Sequence, residues 1–318
     1  PSRYSSVVGC GSYLSLIALS QISTGGEAEA LLARCIDEHP EFLGAVHPYA
    51  AAMLKNGRDG ADVVATIEER VEKLTPSARF MLGTALYEAG DAELAELQFR
   101  AIIEQQPSSV PARIALGEAL LSQGRHAEAA AEAALVPSED PAAGSARRTE
   151  TFALLVSGEL DAAARVLERA RAQMEPGEPE LFAAWLTAAR GEALPAVLPG
   201  QSAKMLVTAL EALLRLCEVD AFALLVPLIE RVGLAPRNRR ELLASMYMRR
   251  GYLESAADEW ISVIQELGPD SQALTGLALV AKARELPEDA LVFAREARAL
   301  DPGNAAASQL VTSLELAA

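Results

Sequence analysis

Three cysteines, Cys10, Cys35 and Cys217, are all that 318 residues contain. An odd, widely spaced set excludes a disulfide framework and predicts a reducing, cytoplasmic setting. Aromatic residues make up only 5% of the chain, and no stretch alternates with period two, so nothing reads as a β-sheet. Basic residues are in deficit, 28 against 44 acidic, for a net charge of −16. Such a chain repels phosphate backbones, which excludes nucleic acid as a general partner. Long apolar runs are missing too. The most apolar early stretch, residues 13–22, is about half the length that crosses a bilayer, and no basic leader or cleavage site accompanies it. Transmembrane segments are therefore not expected. The chain opens on Pro1 rather than Met, from which we expect a piece of a longer protein.

Signatures of catalysis are equally scarce. There is no G-x-S-x-G elbow, no H-E-x-x-H and no Asp-x-Asp. Gly9-Cys10-Gly11-Ser12 precedes an apolar helix but lacks the Gly-Lys-Ser/Thr ending of a phosphate loop. His126 follows Gly124 and reads as a solvated turn residue rather than a base. Cys35, His39 and His47 could be weighed as metal ligands, but Cys35 occupies a packing position and no fourth ligand suggests itself. We expect no active site, no metal and no cofactor.

What the chain has in quantity is Ala and Leu, strong helix formers, and glycines in register. Gly83 maps onto Gly117, Gly90 onto Gly124 and Gly124 onto Gly158, each 34 residues on, and Pro107 maps onto Pro141. Self-similarity at that period predicts an all-α array of helical hairpins, each burying its apolar face only against its neighbours. Gly83 and Gly117 are expected where the two helices of a hairpin cross. Gly90, Gly124 and Gly158 should end first helices in left-handed conformation. Ala95, Ala129 and Ala163 should face the crossing from the second helix, and Pro107 and Pro141 should stop it.

Within Pro76–Ser109 the order Leu82-Gly83, Leu86, Gly90, Ala95, Phe99, Pro107 resembles the tetratricopeptide repeat, with Arg79 at its initial Trp position. The next unit supplies Leu116-Gly117, Leu120, Gly124, Ala129, Ala133 and Pro141. A third carries Gly158, Ala163, Leu167 and Ala170. After a break, 237–270 recovers Leu243-Ala244, Tyr247, Gly251, Ala256, Trp260 and Pro269, and 271–304 follows with Ala278, Ala290, Ala297 and Pro302. The resemblance implies a right-handed superhelical solenoid of about nine hairpins closed by a capping helix. Its expected parts are N-terminal repeats over 1–177, a shortened repeat and bend over 178–200, where Pro195 and Pro199 leave no room for a second helix, and C-terminal repeats and cap over 201–318.

Function enters through the same resemblance. In this family the first helix of each hairpin lines a concave surface that contacts ligands. The corresponding positions include Phe80, Thr84 and Tyr87, then Ile114, Glu118 and Leu121, then Arg148 and Phe152, and later Met248 and Arg249. Their mixture of apolar groups and a few charges suits a partner peptide or protein, so a non-catalytic interaction scaffold is implied. The carboxylate-clamp positions of chaperone-binding members hold Phe80, Thr84, Pro111 and Ala115, which disfavours that partner. Arg231, Arg237, Arg239, Arg240, Arg249 and Arg250 could dock an acidic group or be paired with Glu230, Glu241 and Glu254. The opening stretch, Ser2-Arg3-Tyr4-Ser5 and then Gly26–Ala45, also resembles the tail behind the catalytic domain of some bacterial family 2 glycosyltransferases. That alternative implies an accessory region whose catalytic domain lies outside this chain.

Overall fold

The computed structural model describes residues 13–39, 42–71 and 74–316; Cys10, the glycine-rich Gly9–Ser12 segment, Ser2–Ser5 and Pro40 lie outside them. Every regular element among the described residues is helical. The chain divides into two compact units, Pro1–Glu175 and Pro176–Ala318.

The first unit stacks five hairpins: α1 (Tyr13–Ile22) with α2 (Gly26–Glu38), α3 (Val46–Lys55) with α4 (Gly60–Arg70), α5 (Pro76–Glu88) with α6 (Ala92–Gln105), α7 (Val110–Ser122) with α8 (His126–Ala134), and α9 (Ala143–Val156) with α10 (Leu160–Ala170). The helices start and stop where local chemistry dictates. Thr75 accepts from the Ala78 amide at 3.2 Å ahead of Pro76, and Asp91 accepts from Leu94 at 3.2 Å, each quieting an N-terminal donor. Gly90, Gly124 and Gly158 close first helices at φ 94°, 74° and 74°. Left-handed backbone there lets the chain reverse without a Cβ clash.

Small residues set how closely the hairpins pack. Ala95, Ala129 and Ala163 are all within 1% of complete burial. A Cβ on Gly83 would come within 2.7 Å of the Phe99 ring, so the second helix of the same hairpin presses on this glycine. Gly117 faces its own partner helix and the next repeat together: an added Cβ would stand 3.6 Å from the Ala129 carbonyl oxygen of α8 and 3.2 Å from Thr149 Cγ2 of the following hairpin. Phe99, itself 1% exposed, contributes on the order of 2–3 kcal/mol of burial free energy.

Two expectations are corrected. Pro141 does not stop the second helix of its repeat, because α8 ends at Ala134. Pro137 is the reason: the residue before a proline is driven out of helical conformation, and Val136 turns inward to 2% exposure instead. His126 is not a loop residue; it opens α8 and is half-buried.

The second unit begins with an unpaired helix, α11 (Glu178–Ala189), in which Leu181, Phe182 and Trp185 are fully buried. No helix follows until Ser202. The irregular stretch is tied down by Leu198, whose N–H donates to the Arg231 carbonyl at 2.7 Å, and by the Ser202 hydroxyl, which donates to the Gly177 carbonyl at 2.8 Å. Three hairpins and a cap complete the unit: α12 (Ser202–Arg215) with α13 (Val219–Leu225), α14 (Pro236–Arg249) with α15 (Leu253–Leu267), α16 (Ser271–Ala283) with α17 (Pro287–Leu300), and α18 (Ala305–Glu315). Ala256 and Ala290 repeat the buried small-residue position at 0% exposure. Trp260 fills the space that Gly276 leaves, its indole 2.2 Å from where a Cβ would stand. Asn304 joins the cap to the last hairpin. Its side-chain amide donates to Ser271 Oγ at 2.8 Å and Thr275 Oγ1 at 3.1 Å, while its oxygen accepts from the Ala307 amide.

Candidate functional site

Residues at positions four and three apart on α5 and α7 point to one side of their helices. Phe80, Thr84 and Tyr87 therefore share a face, as do Pro111, Ile114, Ala115 and Glu118. Where α5 and α7 lie side by side, with Phe99 of α6 behind them and Ala142 at one edge, these side chains line a groove of about 350 Å³. The Phe80 and Phe99 rings meet at 5.7 Å between centroids. Thr84 donates its hydroxyl to the Phe80 carbonyl at 2.9 Å. The lining is thus mostly carbon, which suits an apolar side chain.

Glu118 is the exception. Loss of water in this setting pushes its pKa above the ordinary glutamate value, and the nearby Arg148 guanidinium draws it only partly back. The two side chains meet at 3.4 Å between Arg148 Nη2 and Glu118 Oε1.

Five of the sequence-derived candidates, Phe80, Thr84, Tyr87, Ile114 and Glu118, gather at this groove. Arg148 reaches it through Glu118. Leu121 is half-buried against the main core of the first unit, and Phe152 is only 9% exposed. Met248 and Arg249 belong to the second unit. Met248 packs against the cluster around Trp260, and exposed Arg249 pairs with Glu211.

Three arginines of the arginine-rich segment, Arg237, Arg240 and Arg249, hold carboxylates of the same chain. Arg237 holds Glu241 at 2.7 Å and Asp270 at 2.8 Å; Arg240 holds Glu259 at 3.0 Å and Glu266 at 2.5 Å. Glu254 meets Arg284 rather than one of the clustered arginines. Ion pairs thus occupy Arg237, Arg240 and Arg249, where docking of an acidic group was the alternative; Glu241 is among the partners expected from the sequence, whereas Asp270, Glu259, Glu266 and Glu211 are not.

A second, polar hollow of about 530 Å³ lies between α2, α3 and α4. Its cations are matched: Arg70 to Asp37 at 2.6 Å and Arg58 to Glu29 at 2.5 Å, with Arg70 also stacked 5.8 Å over the Tyr49 ring. The weighed metal ligands point elsewhere. Cys35 is buried with Sγ toward the Tyr13 carbonyl, and His47 Nε2 lies 3.0 Å from Glu88. Among the described residues no three His, Cys, Asp or Glu side chains gather as a metal site.

Sequence reasoning missed the arginines that brace the hairpins. Arg79 reaches Gln98 at 3.0 Å, Arg113 reaches Glu132 at 2.7 Å and Arg240 reaches Glu259 at 3.0 Å, each across a separation of 19 residues. Arg79, Arg113 and Arg147 are 34 apart, a signal available in the sequence.

A repeat of hairpins with small residues at the crossings and a glycine at most of the turns defines the helical-repeat solenoid class. Residues 80–144, which include every residue that lines the groove, match the family described as Tetratricopeptide repeat. Among solved structures, a tetratricopeptide repeat protein from Parabacteroides merdae is 14% identical, with a TM-score of 0.40 over 95% of this chain and 98% of that one. The APC/C hetero-tetramer Cut9–Hcn1 aligns at 14% identity and a TM-score of 0.36, over 98% of this chain and 57% of the other. Naa15/Naa10 bound to HypK-THB aligns at 12% and 0.37, over 95% of this chain and 43% of the other. No curated protein matches the chain. No described helix is long and apolar enough to cross a membrane.

Proposed function

We propose that the chain is a non-catalytic interaction scaffold that docks a segment of a partner protein against the first helices of its hairpins, centred on α5 and α7. The observation that carries this reading is the groove itself. Its aromatic and aliphatic lining belongs to a stretch that matches a repeat family, and it offers apolar anchor sites beside a single charge. Affinity would come from one or two apolar side chains of the partner, and orientation from polar groups at the rim. Cys35 and Cys217 are thiols rather than disulfide halves, which suits the cytoplasmic location that we propose with it.

Ala115→Arg tests the reading by filling the groove with a long side chain. The expected result is a partner retained by the native chain and lost by the variant, with the helical circular-dichroism signal unchanged. A partner that binds both equally would overturn the assignment.

A further inference from the structure

Among the described residues that line the groove, Glu118 alone is charged. Phe80, Tyr87, Pro111 and Ile114 line the groove around it with carbon, so its carboxylate is held partly out of water with Arg148 as a cation at 3.4 Å. The comparison with other pairs of the same unit is direct. Glu132 holds Arg113 at 2.7 Å and Glu96 holds Arg125 at 2.6 Å, whereas Glu118 has Arg148 at 3.4 Å. Burial pushing the Glu118 pKa upward reports the same imbalance. An incoming segment would strip the remaining water from this carboxylate. If it carried a negative charge, repulsion in a drier site would oppose it; if it carried a positive one, the missing close contact would be made. The chain's net charge of −16 works in the same direction at longer range.

We infer that the groove selects a basic peptide segment, with an apolar side chain seated among Phe80, Tyr87 and Ile114 and an adjacent lysine or arginine paired to Glu118. This rests on the docking reading proposed above and adds the charge of the ligand to it. The groove's volume of about 350 Å³ lies at the lower end of the range for ligand pockets, roughly 300–1,000 Å³. That space admits an anchor and its neighbour rather than a folded domain. Arg148 meets Glu118 at 3.4 Å and is not part of the lining, which is why the carboxylate, and not the guanidinium, sets the preference.

Short random peptides displayed on phage and selected on the full chain provide the probes. The selected sequences are then synthesised with capped ends, a fluorophore, and Lys, Ala or Glu at the position beside the apolar anchor, and binding is read by anisotropy. The expected result is enrichment of Lys or Arg next to an apolar residue, with the Lys peptide bound about tenfold more tightly than its Ala version and the Glu version weaker still. Added salt should weaken the Lys peptide and spare the Ala peptide, a readout that uses only the native chain. Glu118→Gln should bring the Lys and Ala peptides to equal affinity. Equal binding of the three peptides by the native chain, enrichment of acidic residues, or a Lys preference that survives in Glu118→Gln overturns the charge assignment and leaves docking at the groove standing. Absence of any enriched peptide, or peptides that bind Ala115→Arg as well as the native chain, overturns both.

Discussion

Arg113 and Glu132 face each other across one hairpin, Nη1 to Oε2 at 2.7 Å, and the same guanidinium reaches back to the Pro107 carbonyl through Nη2 at 2.8 Å. One side chain thus ties α7 to α8 and to the turn that precedes α7. Both partners are more than three-quarters covered, so water screens the pair less than it would an exposed one. Arg113→Ala is expected to cost about 1–3 kcal/mol in urea unfolding, because it leaves a half-buried carboxylate without its donor. Exchanging the two residues should recover only part of the loss, since a glutamate at 113 cannot donate to Pro107. Full recovery would show that the carbonyl contact contributes nothing.

The turn position that Gly90, Gly124, Gly158 and Gly251 occupy is held by Cys217 and Glu285 in two other hairpins, at φ 58° and 61°. Left-handed backbone costs a residue with a side chain roughly 1–2 kcal/mol, and glycine returns some of that as chain entropy. Glu285→Gly is therefore expected to stabilise the protein by roughly 0.5–1 kcal/mol, read as a higher melting temperature. Gly124→Ala should do the reverse. A fall in melting temperature for Glu285→Gly would mean that its side chain contributes more than the backbone strain removes.

Alanine at three helical glycines should rank by what each added Cβ meets. At Gly144 it would stand 2.0 Å from the Gln173 carbonyl oxygen, which is backbone and cannot swing aside. At Gly83 it would stand 2.7 Å from the Phe99 ring, and at Gly117 it would meet Thr149 Cγ2 at 3.2 Å and the Ala129 carbonyl oxygen at an ordinary 3.6 Å. Overpacking costs typically about 1–3 kcal/mol, against a gain in helix propensity of about 1 kcal/mol. Gly144→Ala and Gly83→Ala are expected to destabilise, in that order of severity, and Gly117→Ala to lie near neutral. Thermal melts of the three variants check the ranking.

Acid should loosen the joint between the third and fourth hairpins. Burial would raise the pKa of Glu96, but hydrogen bonds from Gln123 at 2.9 Å, Arg100 at 2.8 Å and Arg125 at 2.6 Å outweigh it and hold the carboxyl below the ordinary glutamate value. A group depressed by folding contributes stability that is present above its unfolded pKa, about 4.3, and is lost as pH falls through the folded value. Glu118 has the opposite sign: its ionisation penalty is present at neutral pH and disappears below the unfolded value. Unfolding free energy is expected to drop as pH falls below about 5, with a shallower drop in Glu96→Gln and a steeper one in Glu118→Gln. Parallel pH profiles for all three proteins would contradict the assignment.

The groove was legible in part for a definite reason. Helix periodicity puts Phe80, Thr84 and Tyr87 on one face, and the 34-residue register carries that face to Ile114 and Glu118. The same arithmetic puts Phe152 in line, yet it is 9% exposed, because register gives direction and not depth. Arg147 makes the point from the other side. It stands 34 residues after Arg113, but the residue 19 further on is the buried Val166, so its guanidinium turns to Glu150 and the Val136 carbonyl instead.

By itself the sequence determined an all-helical stack of hairpins, the turns at Gly90, Gly124, Gly158 and Gly251, and the buried alanines at 95, 129 and 163. Those features follow from local backbone preference and from spacing along a helix, which a linear chain encodes directly. Only the tertiary structure decided that Gly117 receives Thr149 of the next repeat as well as its own partner helix, that Cys217 and Glu285 adopt glycine's backbone, and which carboxylates most of the paired arginines hold. These depend on what lies opposite once hairpins stack, and side-chain reach across that gap is set by packing, not by sequence distance.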